Sequence, residues 1–292
     1  MSKSTGKVIL IICILTIVIA VVASIVLLAY KEEPKIIIIP IRGQISVYGD
    51  GASSQRIIAQ LIAAEQDDSV KAVILEVNSP GGTVVASAEI ANVIEAMDKP
   101  VVTWMREIGA SGAYWIASST DYIVADPATL TGSIGVTSSY LQFADLMDKY
   151  GVTYESITYG EYKEAGSPYK NLTDEERGLL QHKVDIIGEL FIAHIAKARG
   201  LPEETVRPLA NGEILLGSEA LKLGLIDELG GEATAFAVAK ELSGAKDAVI
   251  STQQGGIGNT LQEFFAKSFY WIGRGVGDSF KLGVEKNSII TA

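Results

Sequence analysis

"VKAVILEVN", residues 70–78, decides the fold. A strand with one wet face alternates apolar and polar residues, whereas this run is apolar almost throughout, as in parallel strands buried between two layers of helix. "KIIIIPI" (35–41) repeats the pattern, and "KPVVTWM" (99–105) and "DYIVADP" (121–127) continue the series. Between them, "SSQRIIAQLIAAEQD" (53–67) and "VVASAEIANVIEAMD" (84–98) carry apolar residues at three-to-four spacing and predict helices. The order is β-α-β, so an α/β layered domain is expected. Further on, "TDEERGLLQHKVDIIGELFIAHIAKARG" (173–200) opens on a capping box, Thr173 with Glu176, and closes on Gly200, which predicts one long helix.

The flanks differ in character from this body. No charge interrupts Val8 to Tyr30, a run long enough to cross a bilayer core, which needs about 20 residues. A cleaved signal peptide has an apolar region of only about 7 to 15. Residues 8–30 are therefore expected to form a retained transmembrane anchor after a cytoplasmic tail, 1–7. Lys3 and Lys7 precede the span, and Lys31 and Lys35 follow it among Glu32 and Glu33. That bias puts the N-terminus in the cytoplasm and the domain 35–250 on the extracytoplasmic side of the cell membrane, in single-pass topology. In the tail, 251–292, a glycine-rich stretch (253–259) leads to Leu261, Phe264, Phe265, Phe269, Ile272 and Val276 at helical spacing. This predicts an amphipathic helix, either packed on the domain or a neighbouring subunit, lying on the bilayer surface, or mobile on its glycine-rich hinge.

Composition excludes several functions. The chain of 292 residues has a formal charge of −11 and no Lys/Arg block, so nucleic acid is not an expected partner. A single cysteine, Cys13, rules out an intrachain disulfide framework and a cysteine-based zinc site, and no metal or cofactor is implied. Only two histidines, His182 and His194, are available, both within the long predicted helix.

Chemistry concentrates at two strand ends. "GASGAYWIASS" (109–119) places Ser111 where a strand runs into a helix, although its second glycine sits one place earlier than in the G-x-S-x-G elbow. With histidine scarce, the alternative base is a lysine freed of its proton by desolvation or a neighbouring acceptor. Lys163, in "YGEYKEAGSPYK" (159–170) after the strand-like "VTYESIT" (152–158), is the candidate, with an ordinary loop lysine as the competing reading. "NSPGGTVVAS" (78–87) supplies a tight Pro80-Gly81-Gly82 turn before a helix. It is either a plain strand-to-helix turn or an oxyanion hole, with the amide of Gly82 joined by that of Gly112.

Taken together with "IRGQIS" (41–46), "TLTGSIGV" (129–136) and "ANGEILLGSEALKLGLIDELGG" (210–231), these motifs resemble the signal peptide peptidase A family in its short membrane-anchored form. The resemblance covers most of residues 35–240. It implies a ClpP/crotonase-like spiral fold and a serine-lysine peptidase with Ser111 as nucleophile, Lys163 as general base and Ser133 orienting the lysine. It also implies remnant signal peptides and other short hydrophobic peptides as substrates, and a homo-oligomer whose dyad is shared between protomers. Ala113 and Trp115 depart from the family's usual glycine and tyrosine and put the size of the substrate pocket in question. Three other readings stay open: a crotonase-like CoA lyase or isomerase, a catalytically silent membrane scaffold, and the related membrane protease that cleaves stomatin partners.

Overall fold

The computed structural model describes residues 13–19, 21, 33–49 and 51–252. Residues 253–292 of the predicted tail 251–292 lie outside them, as does most of the predicted anchor, of which residues 13–19 and 21 are helical. Among the described residues no helix is long and apolar enough to cross a membrane.

The apolar runs become the centre of one sheet. Strands β1 (Lys35–Arg42), β4 (Val70–Ser79), β5 (Val101–Ala110) and β6 (Tyr122–Ala125) pair in parallel, and β9 (Glu228–Leu229) extends the sheet beyond β6. The path is β10-β1-β4-β5-β6-β9, with β10 formed by Val249–Thr252. A branch, β7 (Leu130–Gly132), pairs with the end of β5 and antiparallel to β8 (Ile214–Leu216). Between β1 and β4 lies a small parallel pair, β2 (Ile45–Ser46) with β3 (Ala52–Ser53).

Both faces of the main sheet are covered, as continuous apolar strands require. On one face Ile37, Ile39, Val73, Leu75 and Val77 join Leu61 of helix α1 (Ser54–Gln66), Ile90 of α2 (Val84–Glu95) and Tyr114 of α3 (Gly112–Ser118) in a single core. On the other, Ile36, Ile74, Val102 and Val124 meet Ala235 and Ala239 of the penultimate described element, Glu232–Ser243. The long helix forms over Asp174–Arg199 with the expected cap: Thr173 accepts from the Glu176 amide, Glu176 accepts from the Thr173 amide, and Gly200 closes it at φ 63°.

One expectation fails. Residues 152–158 form no strand. Their β-favouring side chains find no strand to pair with, and Val152, Tyr154 and Ile157 are exposed, Ile157 fully. Propensity describes fit to a pleated, half-buried surface, and the single chain offers none here.

Candidate active site

Parallel strands deliver their loops to one end of the sheet, and both glycine-rich turns arrive there. β5 ends at Ala110 and α3 begins at Gly112, which leaves Ser111 to make the corner. It does so at φ 54°, ψ −125°, a conformation most L-residues avoid. The Ser111 amide donates to Gly132 O at 2.9 Å, and its carbonyl accepts from Trp115 at 3.0 Å, the first helical bond of α3. A serine held this way stands out from a sharp strand-to-helix turn, the geometry of a nucleophile elbow although the glycine spacing differs. Among described residues other than glycine, the one further positive φ is at Ser133, 49°. Its neighbour Gly132 pairs with Ala110, so the second strained residue lies beside the first. Strain of about 1–3 kcal/mol per residue persists only where the surroundings enforce it.

The Pro80-Gly81-Gly82 turn packs against this corner backbone to backbone. Ile45 brackets it, donating to Gly81 O and accepting from the Thr83 amide, both at 2.9 Å, and the Ser79 hydroxyl accepts from the Gly81 amide at 3.1 Å. A methyl at Gly82 would lie 1.9 Å from Ile45 O, and one at Gly81 2.7 Å from the Gly112 nitrogen. A methyl at Gly112 would lie 2.5 Å from Ser87 Oγ and 3.2 Å from the Gly82 nitrogen. Glycine is thus required for close approach, and the product of that approach is two neighbouring N–H groups, Gly82 and Gly112. No backbone acceptor takes either of them among the described residues. Two such donors beside a half-buried serine hydroxyl can bind the oxygen of a carbonyl under attack.

Lys163 is not part of this corner. It sits in a run of turns, exposed, its amide donating to Gly160 O at 3.2 Å, with no hydrogen bond to Ser111 or Ser133 among the described residues. Its neighbours are nonetheless ordered by polar contacts. Glu164 accepts from Tyr154 Oη (2.7 Å) and Ser156 Oγ (2.8 Å), which hold its carboxyl below the ordinary range. Tyr162 donates to Glu175 at 2.5 Å and is pushed up to about 12 by that bond.

Of the two histidines, His182 is exposed and His194 is packed. The His194 ring stacks on Trp115 at 4.8 Å, and burial lowers its pKa. With Ser119 Oγ 3.1 Å from Nε2 and Glu95 3.8 Å from Nδ1, it imitates a catalytic triad. Nε2 also lies 3.1 Å from Trp115 O, which can only accept. In the tautomer that donates Nε2–H to Trp115 O, that nitrogen cannot take a proton from Ser119. Ala113 and Trp115 are buried in the main core, so they shape packing under α3 and do not size a substrate pocket. Sequence reading overlooked Ser79 and Ser87. Both lay inside the quoted stretch 78–87, Ser79 in its turn and Ser87 on the helix that follows, and neither residue type carried a signal of its own.

The model of peptidase family S49 matches residues 94–246, more than half of the chain and including both the Ser111 corner and Lys163. The chain belongs to that family. A Clp protease model matches residues 21–125. A Methanocaldococcus jannaschii protein named as a protease is 37% identical over 230 residues, covering 76% of this chain and 72% of its own length. The chloroplast serine protease SPPA of Arabidopsis thaliana is 33% identical over 204 residues, covering 69% of this chain but only 30% of its own length. This S49 member is thus a serine peptidase of the signal-peptide-peptidase A type, a hydrolase on a ClpP-like mixed α/β fold. A solved mutant of the 1510-N membrane-bound stomatin-specific protease, 18% identical, aligns with TM-score 0.52 over 77% of this chain and all of that one, a likeness of fold.

Proposed function

We propose that this S49 peptidase is held by residues 8–30 at the extracytoplasmic face of the cell membrane and hydrolyses remnant signal peptides and other short hydrophobic peptides. The catalytic pair is Ser111 and Lys163. The observation that carries the reading is the strained Ser111 corner with the Gly82 and Gly112 amides gathered against it.

In the reaction the unprotonated amine of Lys163 removes the Ser111 proton and Oγ bonds to the peptide carbonyl carbon. The carbonyl π electrons move to oxygen, where the two amides hold the charge. Collapse breaks the C–N bond, and the ammonium of Lys163 protonates the leaving amine. Water, deprotonated by the same lysine, then bonds to the acyl carbon, the ester C–Oγ bond breaks, and the lysine ammonium returns its proton to Ser111 Oγ. Ser133 keeps the amine pointed at Ser111. A homo-oligomer in which one protomer supplies the serine corner and a neighbour supplies the lysine segment accounts for the exposure of Lys163 in the single chain.

Fluorophosphonate labelling tests the reading. The wild-type chain should label, with the adduct on Ser111, and Ser111→Ala should not. Lys163→Ala should fold yet lose peptide hydrolysis about a thousandfold or more, because members of such a unit fail together. Near-wild-type turnover in Lys163→Ala would reassign the base.

A further inference from the structure

The strand that carries the nucleophile does not run in step with the strand that carries the oxyanion turn. Between the pairs Val77–Met105 and Ser79–Gly109, β4 advances two residues and β5 advances four. β5 therefore holds a two-residue bulge over 106–108. Since the pleat repeats every two residues, the bulge leaves side chains on their proper faces. What it changes is phase. Extended unbroken, the Val77–Met105 register would set Gly81 opposite Gly109 and leave Ser111 one pleat repeat farther on, about 7 Å away. With the bulge, Gly81 meets the corner itself: a methyl there would lie 2.9 Å from Ser111 Cβ and 2.7 Å from the Gly112 nitrogen.

Bulged amides leave the ladder and need other acceptors. Asn78, the residue between the two in-step pairs, provides one, its side-chain Oδ1 accepting from the Ile108 amide at 3.3 Å. The Asn78 carbonyl accepts from Gly43 at 3.0 Å, so the same residue also ties β4 to the end of β1. Two positions earlier, the buried Glu76 carboxylate grips Arg106 of the bulge at 2.7 Å and Arg42 of β1 at 2.5 Å. On the far side Thr129 Oγ1 donates to Arg106 O at 2.5 Å. Gly109 lets the bulge close, for a methyl there would lie 2.8 Å from Met105 Sδ.

We infer that Asn78 is a positioning residue of this peptidase: its side-chain carbonyl fixes the phase of β5 against β4 and so brings the Gly82 and Gly112 amides to bear on one substrate oxygen. The inference rests on the peptidase reading of Ser111. It is tested in the full-length chain with Asn78→Asp, which keeps an acceptor, and Asn78→Leu, which keeps the size and loses the acceptor. Asn78→Leu should lower kcat and the rate of fluorophosphonate labelling about a hundredfold, the scale of an ångström misplacement. Its KM should stay within about threefold, as for an interaction made only in the transition state. Asn78→Asp should stay close to wild type. Where Asn78→Leu does not fold, Asn78→Ala is read in its place, since water can then reach the Ile108 amide. A folded variant lacking the acceptor with wild-type kcat overturns the inference, as does an Asn78→Asp enzyme as impaired as Asn78→Leu. Absence of labelling in the wild type would instead overturn the peptidase reading itself.

Discussion

The serine corner and the lysine segment belong to one proposed site, yet they are built in opposite ways. The corner is assembled from parallel ladder bonds and backbone contacts so close that three glycines admit no side chain, and every residue of α3 behind it is buried. The lysine segment, 136–172, contains no strand, and its one helix, Ala144–Lys149, buries nothing. Leu141, Tyr150, Ile157 and Tyr159 are all exposed, and so are Leu179, Ile186 and Leu190 on the first half of the adjoining long helix. One half of the site is thus complete within a single chain. The other half presents apolar side chains that a single chain leaves in water, a pattern that marks an interaction surface.

The largest effect expected from this contrast is complementation. Ser111→Ala and Lys163→Ala chains, each inactive alone, should recover partial peptide hydrolysis when mixed and reassembled, since some interfaces then pair an intact corner with an intact lysine. Verified mixed oligomers without activity would mean that both groups act from one chain, and the contrast would then reflect exposure alone.

A second, smaller effect probes the corner. Gly112→Ala should slow hydrolysis about a hundredfold, the cost of losing one oxyanion donor, because its methyl would lie 2.5 Å from Ser87 Oγ. Removing that oxygen in Gly112→Ala/Ser87→Ala should restore part of the rate. Unchanged kcat in the double variant would show that Ser87 does not set the spacing.

The smallest effect concerns the packing behind the corner. Burial holds the His194 pKa below its ordinary value, so the unfolded chain binds a proton from about pH 6.5 while the folded chain resists it to lower pH. Stability should therefore decline as pH falls from about 6.5 through the folded value and level off beneath it. His194→Gln retains a donor for Trp115 O and should flatten that decline in denaturant titrations run between pH 7 and 5. An equal slope in both proteins would remove His194 from the account.

Much of the fold was legible because its signals are local. Continuous apolar runs at 35–41 and 70–78 announced strands buried on two faces, and Thr173, Glu176 and Gly200 marked both ends of the long helix to the residue. The glycine turns were legible as places where backbone approaches closely. Residues 152–158 were misread because the same local signal, β-favouring side chains, has no effect without a partner strand. Trp115 was misread for a related reason: its spacing after Ser111 does not say that its ring faces Phe191 and His194, on which it stacks at 4.7 and 4.8 Å.

By itself the amino-acid sequence determined the α/β layering and the peptidase family and nominated candidate residues for the chemistry, since periodicity, glycine placement and motif order are properties of the chain alone. Only the tertiary structure decided that Ser111 and Ser133 are held at positive φ side by side, that a two-residue bulge carries Ser111 back to the Gly81-Gly82 turn, and that Lys163 stands exposed outside that corner. The reason is that strand phase, backbone strain and exposure depend on which distant segments meet, and no stretch of sequence contains its own partner.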